Sequence, residues 1–325
     1  MKKRNPPLIS IVTPCLNRAK YIGEAVESVL CQDYPHFEHI IVDGESTDGT
    51  LDVLARYPHL RVISEPDRGL YDALNKGVRM ARGDIIGWLN SDDLYADGIF
   101  HALAHKVTEF PSVEIITGDS DLFVDSLNER HIVRKHTFYS CQELVERRLT
   151  GVVSLNGCFF TCGLIETVGL LNSNYRITAD HDFLIRLSIY KPVCTSLARV
   201  TYHYRQHEDS LTWGRQSKRN TVMVCQELRT IAVEYLSIPD TPCQIRAYCR
   251  ELYHNSAISL FKCYMEAGSL AEAIKVVQVA QRKSPKFMLT FIKRAVVRGP
   301  IWVFRLLLQS IRSGLAKISH RHNNA

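Results

Sequence analysis

The chain has 325 residues, of which 46% are hydrophobic and 23% are charged, and its formal net charge at pH 7 is +6. This composition excludes a collagen-like or largely disordered chain, and the length is sufficient for one large core and a smaller second unit. The last third of the chain is rich in Lys and Arg, whereas the acidic clusters lie before it, so we expect an acidic site and a basic appendage.

The first part of the chain alternates short apolar runs with helical patterns. We predict strands at residues 8–12, 37–42, 61–64 and 85–89, separated by helices that bury one face. Alternating strands and helices are typical of parallel strands joined by crossover helices. The sequence therefore predicts an α/β fold, with a mostly parallel sheet and helices on both faces.

The next part of the chain continues this pattern up to about residue 211. We predict a helix over residues 98–110, a strand at residues 113–117, a separate apolar stretch at residues 122–124 and a last sheet element at residues 193–204. Residues 130–148 have no pattern that assigns them to a helix or strand.

Beyond about residue 212 only helical patterns remain. We therefore divide the chain into an α/β domain over residues 1–211 and an all-α C-terminal region over residues 212–325. Residues 269–272 have the sequence of a capping box and open a long helical pattern, which predicts a helical hairpin.

The C-terminal tail contains an apolar segment at residues 301–318. Arg305, Arg312 and Lys317 interrupt it, which excludes a membrane-spanning helix. Two interpretations stay open: a helix in a membrane interface, and a helix that packs onto its own domain.

The N-terminus and the cysteines indicate the compartment. Residues 1–7 are basic, but the apolar run after them stops at Pro14 and is shorter than the core of a signal peptide. The ten cysteines include no Cys-x-x-Cys pair, which is typical of small buried side chains in a reducing compartment. We expect a cytoplasmic protein, peripheral at the inner face of the membrane if the tail lies in the interface.

Acidic and amide side chains follow the predicted strands. Asp43 ends one strand, Asp92 and Asp93 end another, and Asp72 and Asn75 fall in the connection between the two. The carboxyl ends of parallel strands are where open α/β sheets bind ligands. Carboxylates suit Mg²⁺ or Mn²⁺, which often bind one or two of them together with phosphates of a substrate. The sequence therefore predicts a divalent cation beside a phosphate-containing ligand.

Four segments resemble, in this order, the motifs of the family 2 glycosyltransferases of the GT-A fold. They are residues 13–17 (TPCLN), 42–50 (VDGESTDGT), 67–77 (DRGLYDALNKG) and 89–93 (LNSDD). The resemblance covers about residues 8–210. It implies an inverting, metal-dependent hexosyltransferase. Such an enzyme moves a sugar from a nucleotide-diphosphate donor to a hydroxyl of a glycan or lipid-linked acceptor in cell-surface polysaccharide synthesis.

The same resemblance implies the roles of individual residues. Asn90 stands where the first Asp of a DxD motif would be, so Asp93 would be the direct ligand of the Mg²⁺ or Mn²⁺ ion, assisted by His207. Asp92 would belong to the same metal site, but lie nearer the ribose or a metal-bound water. The residues implied to bind the nucleotide sugar are Pro14, Asn17, Asp43, Asp72, Asn75 and Asp92.

The resemblance also points to Asp180 as the catalytic base. A single carboxylate on the acceptor side can take the proton of the attacking hydroxyl. Asp180 and the nearby Asp182 could each instead cap the helix that they open.

Other functions share parts of this pattern. A nucleotidyltransferase would have the same sheet and acidic site, but residues 14–20 lack the glycines of a triphosphate-binding loop. A non-catalytic scaffold that binds nucleotide sugars is the other alternative. No G-x-G-x-x-G follows the first strand, which disfavours a dinucleotide-binding fold, and we expect no nucleic-acid partner. Specificity for sugar and acceptor would lie in loops around residues 138–154, whose pattern identifies neither.

Overall fold

A computed structural model of the chain describes residues 6–124, 135–136, 155–208 and 215–298. The tail at residues 301–318, the loops at residues 138–154 and the predicted domain boundary at residues 211–212 lie outside these ranges. The chain divides into two compact units, Met1–Asn220 and Thr221–Ala325.

The first half of the sheet is parallel, as predicted. Its strands follow in the order β3-β2-β1-β4, and each pair of neighbours is parallel. These strands are β1 (Ile9–Cys15), β2 (Phe37–Asp43), β3 (Leu60–Ser64) and β4 (Ile85–Trp88), and the helices between them are α1 (Ile22–Leu30), α2 (Thr50–Leu54) and α3 (Leu70–Met80).

The second half of the sheet mixes directions. Strand β8 runs antiparallel to both β4 and β6, β9 runs parallel to β6, and β5 and β7 run antiparallel to their neighbours. Six of the nine described strands thus share one direction, which confirms the mostly parallel sheet. The elements are β5 (Leu94–Tyr95), α4 (Ile99–Glu109), β6 (Ile115–Val124), β7 (Lys135–His136), a 3₁₀ turn (Leu155–Gly157), β8 (Cys158–Thr161), α5 (Cys162–Val168), α6 (Ala179–Tyr190) and β9 (Cys194–Gln206).

Strand β6 corrects the sequence prediction, which had divided it at its polar middle. Asp119 and Asp121 lie inside one continuous strand and are both buried. Asp121 Oδ1 lies 2.7 Å from Nδ1 of His203 on β9. A polar partner on the neighbouring strand, supplied some 80 residues later, therefore lets Asp121 occupy a strand interior.

The order of the strands creates a crevice. From β1 the chain adds β2 and β3 on one side, and then crosses to place β4 on the other side of β1. Ligands of open α/β sheets bind at such a reversal, outside the carboxyl ends of the strands. In this chain those ends are Cys15 of β1 and Trp88 of β4, so the residues that follow each of them face the same crevice.

One core cluster lies between the sheet and helices α1 and α4. Helix α1 buries Ile22, Ala25, Val26 and Val29, which recur at helical spacing. Packing this face against β1 fixes the helix under the sheet, and thereby the loop that joins β1 to α1.

The described part of the second unit, up to residue 298, is helical, as the sequence predicts. Its helices are the C-terminal part of α7 (Arg215–Ser237), α8 (Cys243–Glu266), α9 (Leu270–Lys283) and α10 (Phe287–Arg298).

Helices α8 and α9 form the predicted hairpin, but the predicted capping box is wrong. The side chain of Ser269 makes no capping hydrogen bond, and its N–H donates to the main-chain oxygen of Tyr264 at 2.8 Å. The backbone turn at the end of α8 thus uses the Ser269 N–H. In a capping box, the side chain of Glu272 would accept from that same N–H. No helix within the described ranges is both long and apolar enough to cross a membrane.

Candidate functional site

Asp43 ends β2 at the predicted edge of the sheet and is completely buried. Its carboxylate accepts hydrogen bonds from the N–H and the hydroxyl of Ser46, and from the hydroxyl of Ser64 at 2.7 Å. The side chain predicted to contact the nucleotide therefore also holds the loop after β2 against β3.

Asn17 joins the loops that follow β1 and β2. Its φ angle of 53° lies in the left-handed region, which Asn tolerates better than most residues. Its N–H donates to Ser46 Oγ at 2.7 Å, and its Oδ1 accepts from the N–H of Thr47 at 2.9 Å. Asn17 is exposed, whereas Pro14 is buried within β1, so of these two predicted donor-binding residues only Asn17 presents its side chain to solvent.

Gly44 follows Asp43 and lies against Asp67. A Cβ atom on Gly44 would lie only 2.6 Å from Oδ2 of Asp67. Asp67 in turn accepts from the N–H of Gly69 at 2.7 Å through its other oxygen. A carboxylate from the loop before α3 thus occupies the space that a side chain at position 44 would need.

Helix α3 carries Asp72 and Asn75, and both side chains have partners within the protein. Asp72 accepts from the N–H of Arg68 at 3.1 Å and from its guanidinium at 3.0 Å, and these hydrogen bonds hold the pKa of the Asp72 carboxyl below its usual range. Asn75 is buried, donates to the oxygen of Leu171 at 2.7 Å and accepts from its N–H at 3.1 Å. The Asn75 amide thus fastens the segment before α6 to α3.

Asp92 and His207 meet at the crevice. Asp92 Oδ2 lies 3.0 Å from Nε2 of His207 and 3.7 Å from Nε of Arg18. Arg18 follows β1, Asp92 follows β4 and His207 follows β9, so three strand ends converge here. The ring of His207 also contacts that of Tyr21, with centroids 4.7 Å apart. Sequence reasoning predicted Asp92 and His207 but missed Arg18.

Asp93 has different surroundings from its neighbour, being only 1% exposed. Its carboxylate accepts from the hydroxyl of Tyr202 at 2.7 Å, the N–H of Arg205 at 2.8 Å and the amide of Asn90 at 2.9 Å. Burial and then the charge of Asp92 raise the pKa of Asp93 to about 8, while these hydrogen bonds oppose the increase. Asp93 therefore ties the end of β4 to β9 inside the protein.

Arg205 is hydrogen-bonded to the main chain of Asp92. Its Nε–H donates to the main-chain oxygen of Asp92 at 2.8 Å, and Nη2 donates to Glu24 Oε2 at 2.8 Å. The guanidinium carbon lies 5.1 Å from the ring centre of Tyr21 and 4.7 Å from that of Phe123. Sequence reasoning missed this residue. The sequence did contain a signal for it: Arg205 stands two residues before His207, and residues two apart in an extended chain lie on the same side.

Asp180 lies in the first turn of α6 and is partly exposed, with 24% of its side chain accessible. Its Oδ1 lies 3.3 Å from Nδ1 of His181. Asp182 is buried and accepts from Nε of Arg186 at 3.0 Å. The two carboxylates that open α6 therefore differ: Asp182 is held in an ion pair along the helix, and Asp180 lies at the surface.

Two contacts fix the start of α6. The hydroxyl of Tyr71 on α3 donates to the oxygen of Ile177 at 2.9 Å. The ring of Phe183, one turn after Asp180, lies 5.7 Å from that of Trp88 at the end of β4. These contacts bring the first turn of α6 toward the strand end that precedes Asp92.

The residues present suit a divalent cation that is completed by a ligand. No group of three or more His, Cys, Asp or Glu side chains within the described ranges could hold a metal ion by itself. Asp92 and His207 supply one oxygen and one nitrogen donor 3.0 Å apart. Mg²⁺ and Mn²⁺ are commonly bound by one or two carboxylates, with substrate phosphates filling other positions. The pair fits that arrangement.

Comparisons with known proteins give consistent matches. Residues 10–165 match the family model described as Glycosyl transferase family 2. Over 186 residues, the chain is 33% identical to the "PGL/p-HBAD biosynthesis glycosyltransferase" of Mycobacterium bovis (strain BCG / Pasteur 1173P2); the match covers 55% of this chain and 69% of that protein.

Two solved structures have a similar fold. S. aureus TarS 1-349 in complex with UDP-GlcNAc matches with a TM-score of 0.58 and 17% identity, over 85% of this chain and 92% of that one. The mannosyltransferase PcManGT from Pyrobaculum calidifontis, in complex with GDP-Man and Mn²⁺, matches with a TM-score of 0.55 and 17% identity, over 96% of this chain and 86% of that one. At these identities the structural matches establish the fold.

Proposed function

Since this chain belongs to the family 2 glycosyltransferases, we propose that it transfers a sugar, with inversion at the anomeric carbon, from a nucleotide-diphosphate donor to a hydroxyl group. The acceptor is a glycan or a lipid-linked acceptor in cell-surface polysaccharide synthesis. Membership of this family favours catalysis over the non-catalytic scaffold, and sugar transfer over nucleotidyl transfer.

The observation that carries this proposal is the Asp92–His207 pair at the sheet crevice, with Oδ2 and Nε2 3.0 Å apart. These two side chains would hold Mg²⁺ or Mn²⁺ against the donor's diphosphate. A bound cation would neutralise charge on the departing diphosphate. Arg18, whose Nε is 3.7 Å from Asp92, adds a second positive charge at the same place.

The surroundings of the two adjacent carboxylates favour Asp92 as the direct ligand. Asp93 is the ligand that the resemblance implies, but its carboxylate is buried and accepts three hydrogen bonds within the protein. Withdrawing it to bind a cation would leave those donors without their acceptor, at a cost of about 1–3 kcal/mol for each buried group. Asp92 instead lies at the crevice beside His207 Nε2 and Arg18 Nε, and a cation would replace its hydrogen bond to His207, the second proposed ligand.

Asp180 is proposed as the base. Its carboxylate would accept the proton of the acceptor hydroxyl as that oxygen forms a bond to the anomeric carbon, while the bond from this carbon to the diphosphate oxygen breaks on the opposite side. Asp182, the other carboxylate of the same turn, is buried against Arg186. Partial exposure of Asp180 supports its access to an acceptor.

The donor site would extend from Asp92 across the loops after β1 and β2, past Asn17 and Asp43, to Asp72 on α3. Asn75 would support this site through its hydrogen bonds to Leu171 and would not contact the nucleotide. Related structures contain UDP-GlcNAc, or GDP-Man with Mn²⁺, which supports a nucleotide-sugar donor and a divalent cation.

The domain limits remain proposals: residues 1–211 would carry out the transfer, and residues 212–325 would form a helical appendage. Contact between residues 301–318 and the inner face of the membrane is also proposed, on the sequence of that segment alone.

The test is a screen of the full chain against UDP- and GDP-linked sugars with Mn²⁺ or Mg²⁺, measuring release of nucleoside diphosphate. We expect release from at least one donor, and its loss when EDTA is added. Release that persists in EDTA would contradict the metal requirement, and binding of nucleotide sugar without any release would favour a scaffold. Analysis of the product anomer by NMR tests inversion.

A further inference from the structure

A groove in the helical unit lies between α7 and α9, with α8 beneath it. Its cavity volume is about 400 Å³, within the range of small-molecule sites. Residues 226, 229, 230, 233 and 234 line it from one face of α7, since they recur at helical spacing. The residues that matter for binding are Arg229, Val233, Glu234, Tyr253, Val279 and Lys283.

Two buried polar atoms of this groove have no hydrogen-bond partner within the described part of the chain. They are Nε of Arg229 and the hydroxyl oxygen of Tyr253, whose side chain is only 3% exposed. The guanidinium carbon of Arg229 lies 5.4 Å from the centre of the Tyr253 ring, so both atoms lie in one region of the groove. A buried polar group without a partner costs about 1–3 kcal/mol and is uncommon in native proteins.

The charges of the groove favour an anion. Arg229 and Lys283 are both cationic, and neither forms an ion pair among the residues that the structure describes. Glu234 is the one carboxylate in the lining, so the two cations exceed it by one charge. The guanidinium Nε–H is a donor without acceptor capacity, and a tyrosine hydroxyl can also donate. A ligand with several acceptor oxygens would satisfy both donors, and Arg suits phosphate especially well.

The apolar walls of the groove indicate that its ligand also has an apolar part. Val233 of α7, Val279 of α9 and Tyr253 of α8 all line the groove. A phosphate alone would leave these surfaces uncovered, whereas a hydrocarbon chain attached to the phosphate would gain from their burial.

From these contacts we propose that the α7–α9 groove binds a phosphate monoester that carries a hydrocarbon chain. The phosphate oxygens accept from Arg229 and Tyr253, Lys283 adds a charge at the rim, and the chain lies along Val233 and Val279. This site lies in the helical unit and is independent of the proposed sugar transfer.

The test uses octyl phosphate, below its micelle concentration, and isothermal titration calorimetry of the full chain. We expect saturable binding, weakened about tenfold or more by Arg229→Gln, the scale of a lost hydrogen bond to a charged group. Arg282→Gln is the matched control: it removes the same charge from the exposed residue beside Lys283 and should leave affinity unchanged. Equal weakening by both variants would overturn the site, since it would show a diffuse charge effect.

Probe chemistry supplies a second comparison. Octanol has the hydrocarbon chain without the phosphate, and inorganic phosphate has no hydrocarbon chain. Each should bind more weakly than octyl phosphate by about tenfold or more if both parts contribute. Equal binding by either one would overturn the proposed ligand chemistry.

Tyr253→Phe separates binding from folding. Because its hydroxyl lacks a partner within the described part of the chain, removing it should leave the melting temperature of the ligand-free protein unchanged or higher. The same variant should reduce the rise in melting temperature caused by octyl phosphate. A lower melting temperature without ligand, together with an undiminished octyl phosphate shift, would show that the hydroxyl serves the fold and would overturn its role in binding.

Discussion

Arg205 donates its Nε–H to the main-chain oxygen of Asp92 at 2.8 Å, from a position where its own side chain is 1% exposed. The backbone N–H of the same residue donates to the carboxylate of Asp93. One residue of β9 thus holds both members of the acidic pair at the end of β4. Arg205 is in turn held by Glu24 on α1, through a 2.8 Å ion pair.

The first prediction concerns Glu24, which is exposed, so that its replacement should not disturb the core. Glu24→Gln should loosen Arg205 and raise the Mn²⁺ concentration for half-maximal activity about two- to fivefold, the scale of an exposed ion pair. Glu27→Gln, one turn later on α1, is the control and should have no such effect. Equal Mn²⁺ responses in the two variants would show that Glu24 does not act through Arg205.

The second prediction tests the ligand assignment. Asp92→Asn should reduce release of nucleoside diphosphate about 100-fold or more, because a cation held by Asp92 would stabilise the leaving diphosphate by several kcal/mol. Excess Mn²⁺ should restore part of the activity. Asp97→Asn, which alters an exposed carboxylate nearby, should retain full activity. An active Asp92→Asn enzyme would return the ligand role to Asp93.

The third prediction concerns the stability that Asp93 provides. Asp93→Ala should leave the Tyr202 hydroxyl, the Arg205 N–H and the Asn90 amide without their acceptor. At about 1–3 kcal/mol for each buried group, the free energy of unfolding should fall by about 3 kcal/mol or more. Urea unfolding measures this change, with Asp97→Ala as the control. A drop below about 1 kcal/mol would be incompatible with the three hydrogen bonds.

The fourth prediction concerns Asp180. Asp180→Asn should lower the rate of transfer by about 10²–10⁴-fold, the usual contribution of a general base, with unchanged affinity for the donor. Asp182→Asn should instead lower the melting temperature, since Asp182 is buried and paired with Arg186. If Asp180→Asn lowers the melting temperature and leaves transfer intact, its role is to stabilise the start of α6.

The fifth prediction is a pH dependence of stability. Burial lowers the pKa of His39 from 6.5 to about 3, so below pH 6.5 the unfolded chain binds a proton that the folded chain does not. Stability should therefore fall as the pH falls, by about 2 kcal/mol between pH 7 and pH 5.

Urea unfolding at the two pH values measures this loss. His39→Gln removes the titrating group and should reduce the loss by that amount, whereas His105→Gln, on the exposed face of α4, should not. An unchanged pH dependence in His39→Gln would assign the effect to other groups.

Local pattern was enough to predict several elements. The apolar runs at residues 37–42 and 85–89 correspond to β2 (Phe37–Asp43) and β4 (Ile85–Trp88) within about one residue at each end. Runs of this kind define strands because a strand in a parallel sheet is buried on both faces. The motifs at the strand ends also identified the family. By contrast, the prediction of a capping box was wrong, because the N–H of Ser269 donates to a carbonyl oxygen at the end of α8.

By itself, then, the sequence determined the fold class, the edge of the sheet where the acidic residues gather and the family of the enzyme, since all three follow from local patterns along the chain. Only the tertiary structure decided how the surroundings of the two adjacent aspartates differ. Asp92 and Asp93 are chemically identical neighbours, and their surroundings come from β9, more than 100 residues away: His207 beside one, and Tyr202 and Arg205 around the other. The pairing of strands that are distant in sequence sets this burial and hydrogen bonding. Local sequence patterns do not specify which strands pair, or in which register.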